Sequence, residues 1–172
     1  MIDEQDFTHM GKITGFRLYG RIRPENSPAE ADVMLEVKTF QGKKLTLKCF
    51  AYETEPDDLH TGKLKIDDNV RIIFGLLNDV NNLVRGGQGR KYILNDTSVR
   101  QSAGGHYIVE GEILRIGPHS GEMSKYEKRV VLDCGIYLHA SVKVDSDFTV
   151  GDYIKTNGRL DVHILGRVGY EK

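Results

Sequence analysis

Phe16-Arg-Leu-Tyr-Gly-Arg-Ile22 alternates residue by residue. In an extended chain Phe16, Leu18, Gly20 and Ile22 fall on one side, and Arg17, Tyr19, Arg21 and Arg23 on the other. Period two marks a strand with one face toward a core and one toward water. The same rhythm continues outward. Leu45, Leu47 and Cys49 alternate with Lys44, Thr46, Lys48 and Phe50. Val70, Ile72 and Phe74 follow, then Tyr92 to Leu94, Tyr107 to Ile113, Val130 and Leu132, Leu138 to Val142, Ile154 to Leu160 and Val162 to Leu165. Gly, Asn, Asp and Pro clusters bound these runs. The best helical segment, Asp57 to Leu64, is short. The expected fold class is all-β.

The opening stretch also repeats. Tyr107-Ile-Val-Glu-Gly-Glu-Ile113 matches it at an offset of 91, Cys134-Gly135 matches Gln41-Gly42 at 93, and Gly151-Asp-Tyr-Ile-Lys155 matches Asp68-Asn-Val-Arg-Ile72 at about 84. Two units of five strands follow, the first with an extra loop at Tyr52 to Asp67. A glycine inside each first strand suits a strand that bends between two sheets. Val130-Val-Leu-Asp-Cys-Gly-Ile-Tyr-Leu-His-Ala-Ser-Val142, followed by Val150-Gly-Asp-Tyr-Ile-Lys-Thr-Asn-Gly-Arg-Leu160, resembles strands 2 to 4 of the OB-fold, of the replication protein A-like and tRNA-binding type. The first unit departs from that pattern, with Asp67-Asp68 and Gly75-Leu-Leu in place of Gly-Asp and Gly-Arg-Leu. Cys49-Phe-Ala-Tyr-Glu-Thr54 is similar to a stretch of the OB domain in archaeal synthetases of the agmatinylcytidine type. The resemblance implies two tandem five-stranded OB-like β-barrels at 12–101 and 106–166, a linker at 102–105, and tails at 1–11 and 167–172. The alternative is one enlarged barrel, since about sixty residues is near the small end for an independent unit.

Composition restricts the function. The 172 residues carry 24 Lys and Arg against 25 Asp and Glu, a net charge of −1, so a surface for nucleic acid must be local. Charge does segregate. Residues 10–50 hold eight cations and four carboxylates, 83–101 hold four and one, and 51–82 hold three and seven. OB-folds bind oligonucleotides on strands 2 and 3 and the flanking loops. The residues expected there are Arg17, Tyr19, Arg21, Arg23, Lys38, Phe40, Lys44, Lys48 and Phe50. The loop Arg85-Gly-Gly-Gln-Gly-Arg-Lys-Tyr92 adds Arg85, Arg90, Lys91 and Tyr92. Cations neutralise phosphates and aromatic faces stack on unpaired bases. The expectation is non-enzymatic binding of single-stranded DNA or RNA by the first unit. The alternative is a protein-interaction or structural subunit. Glu110 and Glu112 stand where the second unit would meet phosphate, so that unit is expected to be a spacer, a self-association surface or a protein-binding module.

Other chemistry finds no motif. The six histidines are dispersed and no C-x-x-C or H-E-x-x-H occurs, so no metal and no cofactor is expected. His139 and His163 are read as a polar pair facing each other across strands. Gly86-Gly-Gln-Gly89 lacks the Gly-Lys and helix start of a P-loop. Glu53, Glu55, Asp57 and Asp58 read as a solvated loop, and Pro118 to Tyr126 as a mobile polar loop. Cys49 falls in the core phase and Cys134 in an exposed turn. Two cysteines and the absence of an export-type apolar run lead to the expectation of a cytosolic protein without membrane contact.

Overall fold

The computed structural model describes residues 7–22, 28–99 and 104–169. Among them the chain is all-β apart from one short helix and two turns of 3-10 helix. Strands β1 (His9–Ile22), β2 (Pro28–Lys38) and β3 (Lys44–Tyr52) form an antiparallel meander. Helix α1 (Glu55–Thr61) leads to β4 (Asn69–Asn78). The short β5 (Val84–Arg85) and β6 (Tyr92–Asn95) follow. A second meander, β7 (Gly105–Pro118), β8 (Glu127–Asp133) and β9 (Tyr137–Lys143), precedes β10 (Tyr153–Arg167).

The pairings close two circuits of five strands. One runs β1–β2–β3–β10–β4 and returns to β1; the other runs β7–β8–β9–β4–β10 and returns to β7. They share the antiparallel ribbon in which Asp161 pairs with Gly75 and Ile164 with Ile72. The runs Ile154–Leu160 and Val162–Leu165, read from sequence as separate strands, are one continuous strand. Its first half pairs with β7 and its second half with β4 and β3. The sheet therefore does not divide at 102–105, and the ranges 12–101 and 106–166 do not delimit separate sheets. Gly105 already belongs to β7, while 102–103 and most of the two tails lie outside the described residues.

One continuous core fills both circuits. Ile13, Val33, Cys49, Ile72 and Phe74 from the first half pack in the same cluster as Ile113, Leu132, Leu138, Ile154 and Leu160 from the second. Each is fully or almost fully buried, and each such side chain stabilises the fold by roughly 1.5–3 kcal/mol relative to exposure. Cys134 belongs to this core, contrary to the exposed turn expected. Its thiol donates to the Ile136 carbonyl at 3.4 Å, and burial pushes its pKa up to about 12. The turn carries it inward because Gly135, with φ 96°, reverses the chain in the left-handed region.

The two halves share one local hydrogen-bonding pattern, at offsets that differ from those read in the sequence. Ile13 N–H donates to the Asp68 carbonyl and the Ile13 carbonyl accepts from Asp67 N–H; Ile113 N–H likewise donates to the Asp152 carbonyl and its carbonyl accepts from Gly151 N–H. The offset of 84 for the fourth strand stands, but for the first strand it is 100, not 91. The bulges agree, lying between Ile13 and Gly15 and between Ile113 and Arg115. Gly11, not Gly20, is therefore the counterpart of Gly111. A Cβ on Gly111 would lie 2.5 Å from the Asp133 carbonyl oxygen, so close backbone approach explains that glycine. At the equivalent turn Asp67 adopts φ 74° where Gly151 has 95°, a conformation that costs an L-residue about 1 kcal/mol or more. Its ion pair with Lys12 (3.5 Å) is exposed and adds little. Asp67→Gly is expected to stabilise the protein by about 1 kcal/mol, read as a raised urea midpoint at unchanged slope.

The acidic run at 53–58 is not a solvated loop. Glu55, Asp57 and Asp58 occupy the first turn of α1, where carboxylates suit the helix dipole, with Pro56 at its start and Gly62 (φ 77°) ending it. Glu55 is buried; one of its oxygens accepts from Ile164 N–H (2.9 Å) and lies 2.7 Å from His163 Nδ1. The helix begins two residues before the expected Asp57.

Candidate nucleic-acid interface

Cross-strand partners point to the same side of a sheet, so the registers settle which predicted residues share a face. Arg17 lies opposite Asp32, Asp32 opposite Phe50, and Phe50 opposite Asp161. Tyr19 lies opposite Glu30, and Glu30 opposite Tyr52. Met34 lies opposite Lys48. Arg17, Tyr19, Lys48 and Phe50 therefore share the outward face of β1–β3, as expected, joined by Tyr52.

The rings form a small platform. Tyr19 and Phe50 have centroids 6.4 Å apart, and Phe50 and Tyr52 5.7 Å. Phe50 is not open to solvent, contrary to expectation: it is only 6% exposed. The Arg159 guanidinium lies 4.0 Å from its ring centre, and Gly104 crosses beside it. Arg159 is fixed in that plane by a two-pronged contact to Asp161, at 2.6 and 3.0 Å. The accessible stacking surface is therefore Tyr52, Tyr19 and the planar guanidinium, and β10 supplies the last of these.

Asp32 organises the face. It accepts from the Tyr19 hydroxyl (2.9 Å) and from Gly104 N–H (2.7 Å), and it pairs with Lys48 Nζ at 3.4 Å. Burial and that hydrogen bond push the Tyr19 phenol well above its ordinary pKa, so it stays a donor. Lys48 is thus a paired cation. Lys44 is paired too, with Glu36 at 3.3 Å. Arg17, Arg21 and Lys38 are exposed and have no carboxylate within ion-pair distance among the described residues. Arg23 lies outside the described residues.

The glycine-rich loop is elsewhere. Its strands β5 and β6 add to β10 and β7, so the loop lies on the second half of the chain. Arg85 pairs with Asp147 (2.8 Å) and Asp152 (3.3 Å). Arg90 pairs with Glu110 (3.5 Å) and stands over the Tyr92 ring. Lys91 pairs with Asp133 (2.8 Å) and Glu112 (3.2 Å); the hydrogen bond to Asp133 raises its pKa. Glu110 is buried, and its carboxylate accepts from Gly87 N–H at 2.7 Å, which holds its pKa down. A Cβ on Gly86 would meet that carboxylate at 2.9 Å. The glycines admit a carboxylate of the same chain rather than a phosphate, and Arg85, Arg90, Lys91 and Tyr92 do not join the β1–β3 face. Glu110 and Glu112 are correspondingly not an exposed repulsive pair.

Phe40 also lies apart, in the turn after β2. It packs against Tyr137 (4.7 Å) and His9 (5.6 Å), and Phe7 meets Tyr137 edge-on at 5.1 Å. Arg115 stands 6.0 Å over Phe7. This second aromatic cluster, drawn from the segment before β1, the first residue of β1, the turn after β2 and the first residue of β9, was not expected from sequence: Phe7 and His9 lie in the assumed tail, and Arg115 and Tyr137 have no counterpart in the first unit's basic pattern. Phe40 N–H donates to the Gly135 carbonyl, tying the two hairpin turns together.

Two side chains clasp the halves reciprocally. Tyr107 accepts from Lys48 N–H at 2.8 Å, and His9 Nε2 accepts from Tyr137 N–H at 2.7 Å. An acceptor nitrogen requires a neutral ring, and burial lowers the His9 pKa to about 4. Because the folded value lies below the unfolded 6.5, its contribution is intact above pH 6.5 and is lost as pH falls toward 4. The expected loss is roughly 3 kcal/mol. Urea unfolding of the wild type and His9→Gln across pH 4–7 checks this: the variant should lose most of that slope.

The ribbon's outward side floors a cleft of about 640 Å³. His139 and His163 both line it but do not face each other: they flank β4 opposite Gly75 and Ile73 respectively. Pro118–Tyr126 contains a 3-10 turn, Gly121–Lys125, and its His119 and Met123 overhang the cleft. Among the described residues no group of three or more His, Cys, Asp or Glu is placed to hold a metal ion, and no helix is long and apolar enough to cross a membrane. No protein-family model and no curated protein matches this chain.

Proposed function

We propose that the protein binds single-stranded nucleic acid without catalysing a reaction, through the outward face of β1–β3, and acts in the cytosol. The observation that carries the reading is the platform of Tyr19, Tyr52 and the Arg159 guanidinium on the face that also carries the exposed Arg17, with Arg21 exposed farther along β1. Planar groups accept bases of any sequence, and flanking cations draw the backbone electrostatically. Five strands per closed circuit agree with the OB-like barrel that the sequence resembles. The interface is narrower than the full set of basic residues in the sequence, because Lys44, Lys48, Arg85, Arg90 and Lys91 already have carboxylate partners.

Titration of fluorescent oligodeoxythymidylate and oligouridylate at low and raised salt tests it. Tyr52→Ala is expected to weaken binding by about 1–3 kcal/mol. Arg17→Ala and Arg21→Ala are each expected to reduce the salt slope by about one. No binding at low salt would overturn the proposal. A second reading, a protein-interaction subunit, draws on the internal neutralisation of the 85–91 cations. It would be selected by a stoichiometric protein complex that survives Arg17→Ala and Tyr52→Ala.

A further inference from the structure

The row that begins at Arg17 does not stop at the ribbon. Arg17, Asp32, Phe50, Asp161, Gly75, His139, Val131 and Arg115 are successive cross-strand neighbours from β1 to β7, through β2, β3, β10, β4, β9 and β8. The row has an exposed arginine at each end. Each end also has an aromatic cluster: Tyr19, Phe50 and Tyr52 at one, Phe7, Phe40 and Tyr137 at the other. Its middle is Gly75, where an added Cβ would meet nothing within 4 Å, in the floor of the cleft.

We infer that the two aromatic clusters are the two ends of one groove, in which a single nucleic-acid strand lies across the β-strands and passes over Gly75. This rests on the binding reading above and deepens it, by naming the length of ligand and the second contact region. Strand spacing of about 4.8 Å gives seven steps, or about 34 Å along the sheet. At about 3.4 Å per nucleotide of stacked strand, that is about ten nucleotides, fewer if extended. Of the four carboxylates lining the cleft, Asp161 is engaged by Arg159 and Glu55 by Ile164 N–H and His163, and Glu53 and Glu127 are accompanied there by Arg129. The open backbone at Gly75 suits base edges, and the terminal arginines suit phosphates.

The inference is tested with oligodeoxythymidylates of about four and about twelve nucleotides, on the full chain. Arg115→Ala and Gly75→Phe are each expected to weaken the longer ligand about tenfold and change the shorter less than twofold. Arg115 lies on β7, away from the β1–β3 platform, and Gly75 lies two strands from Phe50, next to Asp161, so Arg115→Ala is the cleaner of the two. Circular dichroism and thermal melting verify that Gly75→Phe is folded, and Arg115→Ala provides the same readout from an exposed position. Equal affinity for both lengths, or no length-dependent effect of either variant, would overturn the shared groove while leaving binding at β1–β3 standing. Absence of binding by both lengths would overturn both readings.

Discussion

Gly158→Ala is expected to destabilise the protein by about 3 kcal/mol or more. A Cβ at that position would lie 2.2 Å from the Leu77 carbonyl oxygen and 2.7 Å from its carbon. Both are backbone atoms, so no rotamer change relieves the contact. Gly158 sits on β10 opposite Tyr107 of β7, close to where the strand passes from one circuit into the other. The neighbouring β4 is held there by Asn78, whose side-chain amide donates to the Ser141 carbonyl and accepts from Ser141 N–H. Moving β4 away from a new methyl would break that pair. Gly75→Ala is the matched control: its Cβ enters open space, and its effect is expected within about 0.5 kcal/mol. Thermal melts of the two variants should therefore separate widely, although both glycines lie in the shared region.

The second large effect concerns the halves themselves. A chain ending after Leu160 retains all of β7–β9 and the first half of β10. It loses Val162 and Ile164, which pair with Phe74 and Ile72 in the core, and with them the closure of the first circuit through β3. Two buried aliphatic side chains alone amount to roughly 3–6 kcal/mol, comparable with the whole stability of a typical domain. The truncated chain is expected to lose cooperative unfolding, and the loss should extend to β1–β3, far away in sequence. Amide hydrogen exchange distinguishes the possibilities. Protection surviving in Val33, Leu35 and Leu47 would show that the first half closes without β10 and would contradict the shared ribbon.

Much of this fold is legible in the residues. Alternation in Phe16–Tyr19 and Leu45–Cys49 gives the correct inward and outward sides, because a half-buried strand records its environment every second residue. Ile22, expected inward, is 74% exposed beyond the irregularity between Tyr19 and Ile22, and Phe50, expected open, is covered. The strand at Pro28–Asp32 is less legible. Its Ala-Glu-Ala-Asp run follows two prolines, and its outward carboxylates, Glu30 and Asp32, are the ones that temper the basic face. The exchange of β10 between circuits leaves no mark, since its alternation continues without a turn signal through Leu160-Asp-Val-His-Ile164. The loop cations were misplaced for a related reason. Composition shows that Arg90 and Lys91 are charged, but only tertiary structure shows that Glu110 and Asp133 reach them first.

The shared ribbon also bears on how the molecule comes to exist. Synthesis delivers β1 to β4 early, yet neither circuit is complete until residues 153–167 have emerged from the ribosome. Until then the meanders hold open edges and uncovered apolar faces, the conditions under which nascent chains associate wrongly. Ribosome-stalled intermediates should accordingly remain sensitive to protease and occupied by chaperones along nearly their whole length, with resistance arriving in a single late step.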